Sequence, residues 1–263
     1  KRQVPSYQKF PDDFYGIGRD APKDPLESYT PEQFAFEGML ERKTLGELRL
    51  GVNYRVAKHR MLETEPGGAL ESGDVPGSDT SVVSAPGLQC AWDTRDNTWS
   101  PRRGLNLLAN TSLFREAWGS DYDWSEYTFD LRGYVPVGGR GTLAAQVLYT
   151  TGDGAVPFYR MPRLGGQSGL RGYSGGRFMD RTMALARAEW RSGEVWKRLG
   201  VAAFAGYGDV APRPAKLTTA VRLYTYGGGL RVTLNREEQV KIRIDFGLGN
   251  DDGGFFLSLG EAF

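Results

Sequence analysis

Few side chains in this chain could act as nucleophiles, general bases or metal ligands. The 263 residues include one histidine, His59, and one cysteine, Cys90, so neither an internal disulfide framework nor a cysteine-based zinc site can form. We expect His59, at the start of a long polar stretch, to lie in a loop or at an interface. Ser174 stands in GYSGG, but no strand–turn–helix pattern surrounds it, as a nucleophile elbow requires. The residues therefore predict no catalytic site, no enzyme activity, no cofactor and no metal.

The composition excludes several classes of protein. The net charge is +1 with 25% charged residues, which gives no electrostatic argument for a nucleic-acid partner. Uncharged apolar runs stay far below the roughly 18 residues of a membrane-spanning helix. Glycine (36 residues) and aromatic residues (12%) are frequent, which is typical of a transmembrane β-barrel, with a large soluble β-sandwich or propeller as the alternative. Residue 1 is lysine, so we expect one domain over residues 1–263, cut from a longer chain.

Alternation of apolar and polar residues indicates β-strands along most of the sequence. In residues 239–249, every even-numbered residue from Val240 to Leu248 is apolar, whereas Lys241, Arg243 and Asp245 share the other face. A soluble sandwich would turn the apolar face inward, and a membrane barrel would turn it toward lipid with the charges in the lumen. The same period of two recurs in residues 47–58, 105–114, 127–135, 181–191 and 226–234.

The lengths of the connections favour the membrane barrel. Short connections alternate with long ones, as in outer-membrane barrels with tight periplasmic turns and long outer loops. Counting a first strand in residues 1–15, the pattern predicts about twelve strands of about ten residues each. The short connections are 41–47, 134–141, 191–198 and 234–239, and the long ones are 16–30, 62–81, 152–180 and 209–223.

Four stretches occur in the order found in a known family. They are DFYGIGRD with YTPEQF (13–34), AWDTRDNTWSPRRG (91–104), PRLGGQSGLRGYSGGRF (162–178) and IDFGLGNDDGGFFLSLGEAF (244–263). Together they resemble the BamA/TamA superfamily of outer-membrane barrels, also called the bacterial surface antigen family. The resemblance implies an all-β fold, a transmembrane antiparallel barrel in the outer membrane of a Gram-negative bacterium. The family barrel has sixteen strands, so the resemblance implies the C-terminal three quarters of a barrel or a reduced version.

Two of these motifs predict local roles. In AWDTRDN, we expect Asp93, Arg95 and Asp96 to close a structural turn by hydrogen bonds to backbone N–H groups and to each other. The last motif resembles the C-terminal signal read by the outer-membrane insertion machinery, with Ser258, Gly260 and a closing Phe263. Such a strand can pair with an open partner edge through its backbone. We expect it to face lipid, with Phe263 on the same side as Phe255, Leu257 and Leu259.

The resemblance also gives the RGY stretch a role. It implies that this loop folds into the lumen, where Arg171, followed by Gly172 and Tyr173, contacts an acidic residue of a neighbouring strand. The matching residue is Glu189, and this pair is the predicted latch. A second acidic position of the family is Gly206 here, with Asp209 and Asp245 as possible substitutes. The alternation predicts further lumen charges at Arg49, Arg55, Asp130, Arg132, Arg187, Arg191, Arg231, Lys241, Arg243 and Asp245.

Four functions remain open from the sequence. The resemblance favours a barrel that takes part in outer-membrane protein insertion or protein translocation. The implied partners are the lipid bilayer, the insertion machinery and an unfolded outer-membrane protein or secreted substrate. The alternatives are an anchoring or exporting barrel for a missing N-terminal domain, such as a lipase or phosphatase, a passive or plugged pore, and a structural barrel without activity.

Overall fold

The computed structural model describes residues 2–218, 223–235 and 237–263. Regular structure in these ranges is almost entirely β-strand, apart from the short 3-10 helices Glu116–Trp118, Phe158–Arg160 and Pro214–Lys216. No helix in the described ranges is long and apolar enough to cross a membrane. The strands are β1 Arg2–Lys9, β2 Asp12–Phe14, β3 Glu27–Lys43, β4 Leu48–Thr64, β5 Ser81–Asp93, β6 Gly104–Phe114, β7 Trp124–Val137, β8 Gly141–Gly154, β9 Arg163–Leu164, β10 Phe178–Met179, β11 Thr182–Arg191, β12 Leu199–Ala211, β13 Leu223–Asn235, β14 Val240–Leu248 and β15 Gly253–Leu259.

One antiparallel sheet contains all the long strands. Its path runs β1-β3-β4-β5-β6-β7-β8-β11-β12-β13-β14-β15, and β2 also pairs with β3. β1 and β2 follow one register on β3, with Arg2 opposite Met39 and Asp12 opposite Tyr29. Pro11 lies in the gap between them, where it has no N–H to donate to the ladder. The predicted all-β fold is confirmed, and the path of twelve strands agrees with the number expected from the sequence.

The two faces of the sheet have opposite polarity. On β14, Arg243 and Asp245 are buried, whereas Phe246 is 56% exposed. On β11, Arg187 and Glu189 are buried and Trp190 is exposed. Apolar residues therefore point outward and charged residues inward, which is the polarity of a barrel in lipid and the reverse of a soluble sandwich.

The ends of the strands differ in the size of their connections. At one end, called here the short-turn end, the connections include 44–47, 138–140 and 192–198. At the other, the long-loop end, they include 65–80 and 155–181. Residues 219–222 of the predicted long connection 209–223, residue 236 of the predicted short one and residue 1 of the predicted first strand lie outside the described residues.

Residues 155–181, called here the plug segment, fold back from the long-loop end into the space enclosed by the sheet. Leu164, Leu170 and Phe178 of this segment are buried in one apolar cluster with Met183 and Leu185 of β11. Further residues of the segment fill two more clusters against the inner faces of the first strands: Val156 and Met161 in one, and Phe158 and Met179 in the other.

The last residues also turn inward, which the sequence did not predict. β15 ends at Leu259, and Gly260 has a φ of +81°, a left-handed conformation that glycine adopts without steric cost. The chain thereby leaves the sheet, and Phe263 is buried in a cluster with Tyr134 and Ala144. The expectation that Phe263 faces lipid with Leu257 and Leu259 is therefore wrong, because the turn at Gly260 ends the strand before it.

Candidate functional site

Arg171 lies at the centre of the buried charges in the lumen. Its side chain is 2% exposed, and its Nη1 is 2.6 Å from Glu189 Oε2 and 2.6 Å from Asp245 Oδ2. The guanidinium carbon lies 3.5 Å from the centroid of the Phe204 ring, which adds a cation–π contact. The structure thus brings Arg171 to Glu189, and Asp245 supplies a second carboxylate. Asp209, the other substitute considered, instead pairs with Arg19 at 3.2 Å.

The wall beside Arg171 contains glycines on β12 and β14 that the plug segment approaches closely. A Cβ atom on Gly247 would overlap the carbonyl oxygen of Arg171, and one on Gly206 would lie 3.1 Å from Leu170 Cδ2. A Cβ on Gly208 would lie 2.8 Å from Leu164 Cδ2. These strands therefore leave out side chains where the plug segment needs room, which explains why Gly206 is not acidic here. The alternating glycines in FAGYGD and FGLG were the sequence signal for this contact.

The carboxylates that hold Arg171 are shared with other cations. Glu189 Oε1 lies 2.8 Å from Arg191 Nε and 3.0 Å from Arg231 Nη2. Asp245 contacts Arg231 at 2.6 Å and Arg243 at 3.3 Å. Because these side chains are almost fully buried, removing one partner would leave an uncompensated charge in a medium of low dielectric constant.

A third carboxylate comes from the inward-turned tail. Glu261 contacts Arg231 at 2.9 Å, Lys241 at 3.2 Å and Arg191 at 3.5 Å. Sequence reasoning missed Glu261 because it treated residues 260–263 as a continuation of the last strand. The carboxylates Glu189, Asp245 and Glu261, with Arg171, Arg191, Arg231, Lys241 and Arg243, are called here the ion network.

Arg187 and Asp130 lie beside the ion network and are linked through a glutamine. Arg187 Nε donates to Gln146 Oε1 at 2.7 Å, and Gln146 Nε2 donates to Asp130 Oδ1 at 2.7 Å. Asp130 also pairs with Arg132 at 2.5 Å. Arg187 further lies 4.4 Å from the centroid of the Phe263 ring. These contacts connect β7, β8 and β11 to the tail.

The plug segment is also attached at the long-loop end. Arg163 Nη1 donates to Asp12 Oδ2 at 2.5 Å, and its Nη2 donates to Tyr29 OH at 2.8 Å, which joins the segment to β2 and β3. Arg177 pairs with Asp251 at 2.6 Å in the last hairpin. The segment therefore contacts both ends of the sheet path.

The neighbours of Arg171 in the RGY stretch contact the same hairpin. The hydroxyl of Tyr173 accepts a hydrogen bond from the backbone N–H of Asn250 at 2.9 Å. Its ring is edge-on to Phe178 at 5.1 Å. A Cβ on Gly172 would lie 2.6 Å from the backbone N of Gly249, so the chain lies directly on the hairpin backbone there.

The predicted structural turn lies at the short-turn end, in the connection between β5 and β6. Arg95 donates two hydrogen bonds to Asp93, at 2.9 and 2.7 Å. Asp96 Oδ1 accepts from the backbone N of Arg102 at 2.9 Å. From this loop, Ser100 Oγ donates to Glu261 Oε1 at 3.3 Å, so the loop also contacts the ion network.

Two residues singled out from the sequence lie within strands. His59 is buried, and its ring stacks on Tyr159 of the plug segment at 3.9 Å. The expectation of a loop position for His59 is wrong, because β4 continues to Thr64. Ser258 lies on β15 opposite Arg243 in register. In the described ranges, no cluster of three or more histidine, cysteine or acidic side chains could hold a metal ion.

Residues 9–263 match the Omp85 superfamily domain. The chain belongs to the Omp85 superfamily. In structure it is similar to BamA from Haemophilus ducreyi lacking POTRA domains 1-3, with a TM-score of 0.71 and 12% sequence identity over 98% of this chain and 57% of that one. This Omp85 chain thus spans little more than half the length of that BamA structure. No curated protein matches its sequence. The family and the fold together assign the chain to a bacterial outer membrane as a BamA-type β-barrel.

Proposed function

We propose that this chain is the barrel of a protein that inserts other proteins into the outer membrane of a Gram-negative bacterium or moves them across it. The proposal rests on the observation that β1 and β15 are the first and last strands of the sheet path in an Omp85 superfamily domain. A strand at the end of a sheet has backbone groups that can pair with an incoming strand. Phe255, Leu257 and Leu259 on β15 are each at least 65% exposed, as a strand facing lipid requires. The proposed activity involves no enzymatic step.

The plug segment is the second part of the proposal. Arg171, with Glu189 and Asp245, acts as a latch that holds this segment in the lumen, and Gly172 and Tyr173 seat it on the last hairpin. The support is the burial of the latch, whose side chains are at most 2% exposed. The insertion machinery would read Ser258, Gly260 and Phe263 before the tail turns inward, because Phe263 is buried afterwards.

A folding assay tests insertion. The chain is placed in vesicles of phosphatidylethanolamine and phosphatidylglycerol. A urea-diluted outer-membrane protein is then added, and its folding is followed by heat-dependent mobility on gels. We expect faster folding than in vesicles with an unrelated closed barrel. Equal rates would contradict the insertion proposal and leave the anchoring barrel as the better account.

The filled lumen favours a plugged pore over an open one as the second candidate. Conductance across a planar bilayer tests this point. We expect small, flickering conductance from the intact chain and larger conductance after deletion of residues 162–178, because the deletion removes Leu164, Leu170 and Arg171 from the lumen. Large and steady conductance from the intact chain would contradict the plug.

A further inference from the structure

A cavity of about 440 Å³ opens into the lumen at the short-turn end. Its lining includes the cations Arg102, Arg140, Arg191 and Lys241 and one carboxylate, Glu194. The cations come from the loop after β5, from the turn between β7 and β8, and from the inner faces of β11 and β14. The cavity is therefore built by four separate parts of the barrel, and its lining is predominantly basic.

Arg191, in this lining, has an unused donor. Its Nε pairs with Glu189 at 2.8 Å and its Nη2 donates to the backbone oxygen of Phe263 at 3.1 Å. The side chain is only 4% exposed. Its Nη1 is buried and has no hydrogen-bond partner among the described residues. A buried guanidinium nitrogen without an acceptor is costly, so Arg191 adds an incompletely satisfied cation to the wall of the cavity.

Positive charge is also in excess beneath the cavity. The ion network contains five cations and three carboxylates. Arg187, beside it, is bonded to Gln146 and to the carbonyls of Gly169 and Ala262 rather than to a carboxylate. Because the whole chain has a net charge of only +1, this excess is a local concentration of charge, and it attracts anions to this end of the lumen.

The rim of the cavity is preorganised. Arg102 Nη2 donates to the carbonyl of Gly139 at 2.8 Å, which ties the loop after β5 to the turn that carries Arg140. Arg102 and Arg140 are exposed, whereas Thr142 in the wall is buried. An anion that enters from the short-turn end therefore meets two exposed guanidinium groups first and Arg191 and Lys241 behind them.

We propose that this cavity is a binding site for an oxyanion of the phosphate class. The planar guanidinium group of arginine can donate two parallel hydrogen bonds to two oxygens of a phosphate, which a monatomic anion does not offer. Several arginines from different parts of the barrel can bind different oxygens of the same phosphate. The phosphate is either a free soluble anion or the phosphate of a lipid headgroup at the inner surface of the membrane. Both sources present the same oxygens to Arg102 and Arg140 at the rim of the cavity.

Phosphorus NMR of inorganic phosphate tests the site. The folded chain in a phosphate-free maltoside detergent is titrated with phosphate, and the change in linewidth gives the dissociation constant. We expect saturable binding in the millimolar range or tighter, and binding about tenfold weaker in the variants Arg102→Gln and Arg140→Gln, because each removes a charged hydrogen-bond donor. Arg191 is left intact, since it also belongs to the ion network.

The matched control is Arg213→Gln, an exposed arginine next to the short helix at the long-loop end. It should bind phosphate as the unaltered chain does, and heat-dependent gel mobility checks that every variant is folded. No saturable binding to the intact chain, or equal binding by the rim variants and the control, would overturn the proposal. Displacement of phosphate by phosphatidylglycerol but not by phosphatidylcholine would support the site and assign it to headgroups, and no displacement by either would assign it to soluble phosphate.

Discussion

Two walls of the lumen, at β4 and at β11, have similar sequence patterns, but their ion pairs differ in exposure to water. On β4, Arg55 lies 3.3 Å from Glu37, and Arg49 lies 3.5 Å from Glu41 with side chains 46% and 36% exposed. On β11, Glu189 lies 2.6 Å from Arg171 with side chains at most 2% exposed. Both walls alternate charged and apolar residues. The RGY part of the plug segment covers the wall beside Arg171, and water is almost fully removed from the ion pairs there.

This difference decides what each pair contributes. Exposed ion pairs are screened by water and contribute little, about 0–1 kcal/mol. Buried pairs gain little net stability when complete but cost much when one partner is removed. The buried ion pairs of β11 therefore hold the plug segment, because breaking one of them is costly, whereas the exposed pairs Arg49–Glu41 and Arg55–Glu37 do not.

The largest effect is expected for Arg171→Met. The substitution leaves Glu189 and Asp245 with one cation fewer in a buried site, and we expect the free energy of unfolding to fall by about 3–5 kcal/mol. Urea unfolding in lipid vesicles, followed by tryptophan fluorescence, measures it. The control Arg49→Met on the exposed wall should change it by less than about 0.5 kcal/mol. Equal losses in both variants would remove the distinction between the walls.

A smaller effect is expected for Gly247→Ala. The new Cβ would overlap the carbonyl oxygen of Arg171, so the plug segment must shift, at a cost of about 1–3 kcal/mol. Gly175→Ala is the matched control, because a Cβ there meets no atom within 4 Å. The same unfolding assay compares the two, and a Gly247→Ala variant as stable as the control would mean that the segment does not lie on β14.

The smallest effect concerns the contact of Arg177 in the plug segment with the exposed Asp251 in the last hairpin, and it depends on pH. Hydrogen bonds from Arg177 lower the pKa of Asp251 below its ordinary value of 3.8. The stability that this pair contributes is therefore fully present above pH 3.8 and is lost as the pH falls through the lowered pKa. Because the Asp251 side chain is 51% exposed, we expect less than about 1 kcal/mol. Asp251→Asn should lower the unfolding midpoint at pH 7 but not in strong acid, and an equal difference at both pH values would contradict this pairing.

The sequence predicted the fold well because strand alternation is local. A period of two over ten residues identifies a strand and its two faces without knowledge of its neighbours, and the faces of β11 and β14 follow that pattern. Connection lengths then identified the two ends of the barrel. His59 was misplaced because the end of β4 depends on pairing with β3 and β5, which a single segment does not encode.

The site was less accessible from sequence for a physical reason. The partners of Arg171 lie 18 and 74 residues away, so only the resemblance to a family related Arg171 to Glu189. Glu261 was missed because a single glycine torsion, at Gly260, moves it from the sheet into the lumen. Gly206 was interpreted only as the position of a missing carboxylate, since its close approach to Leu170 of the plug segment is visible only in the structure.

Charge reversal is a poor test of the Arg171 latch. An arginine at position 189 would lie between Arg191 and Arg231, which now contact Glu189 at 2.8 and 3.0 Å. Neutral substitutions avoid this repulsion. Arg171→Met and Glu189→Gln remove the charges separately and together, and the corresponding variants Arg49→Met and Glu41→Gln provide a matched cycle on the exposed wall.

The most direct measurement of the central claim is the coupling energy from these two double-mutant cycles, obtained by urea unfolding in lipid vesicles. We expect Arg171 and Glu189 to be coupled by about 2 kcal/mol or more, because the pair is buried. Arg49 and Glu41 should be coupled by less than about 0.5 kcal/mol, because water screens them. Equal and small couplings in both cycles would contradict the account, since the plug segment would then be held in the lumen by something other than the buried charges of Arg171.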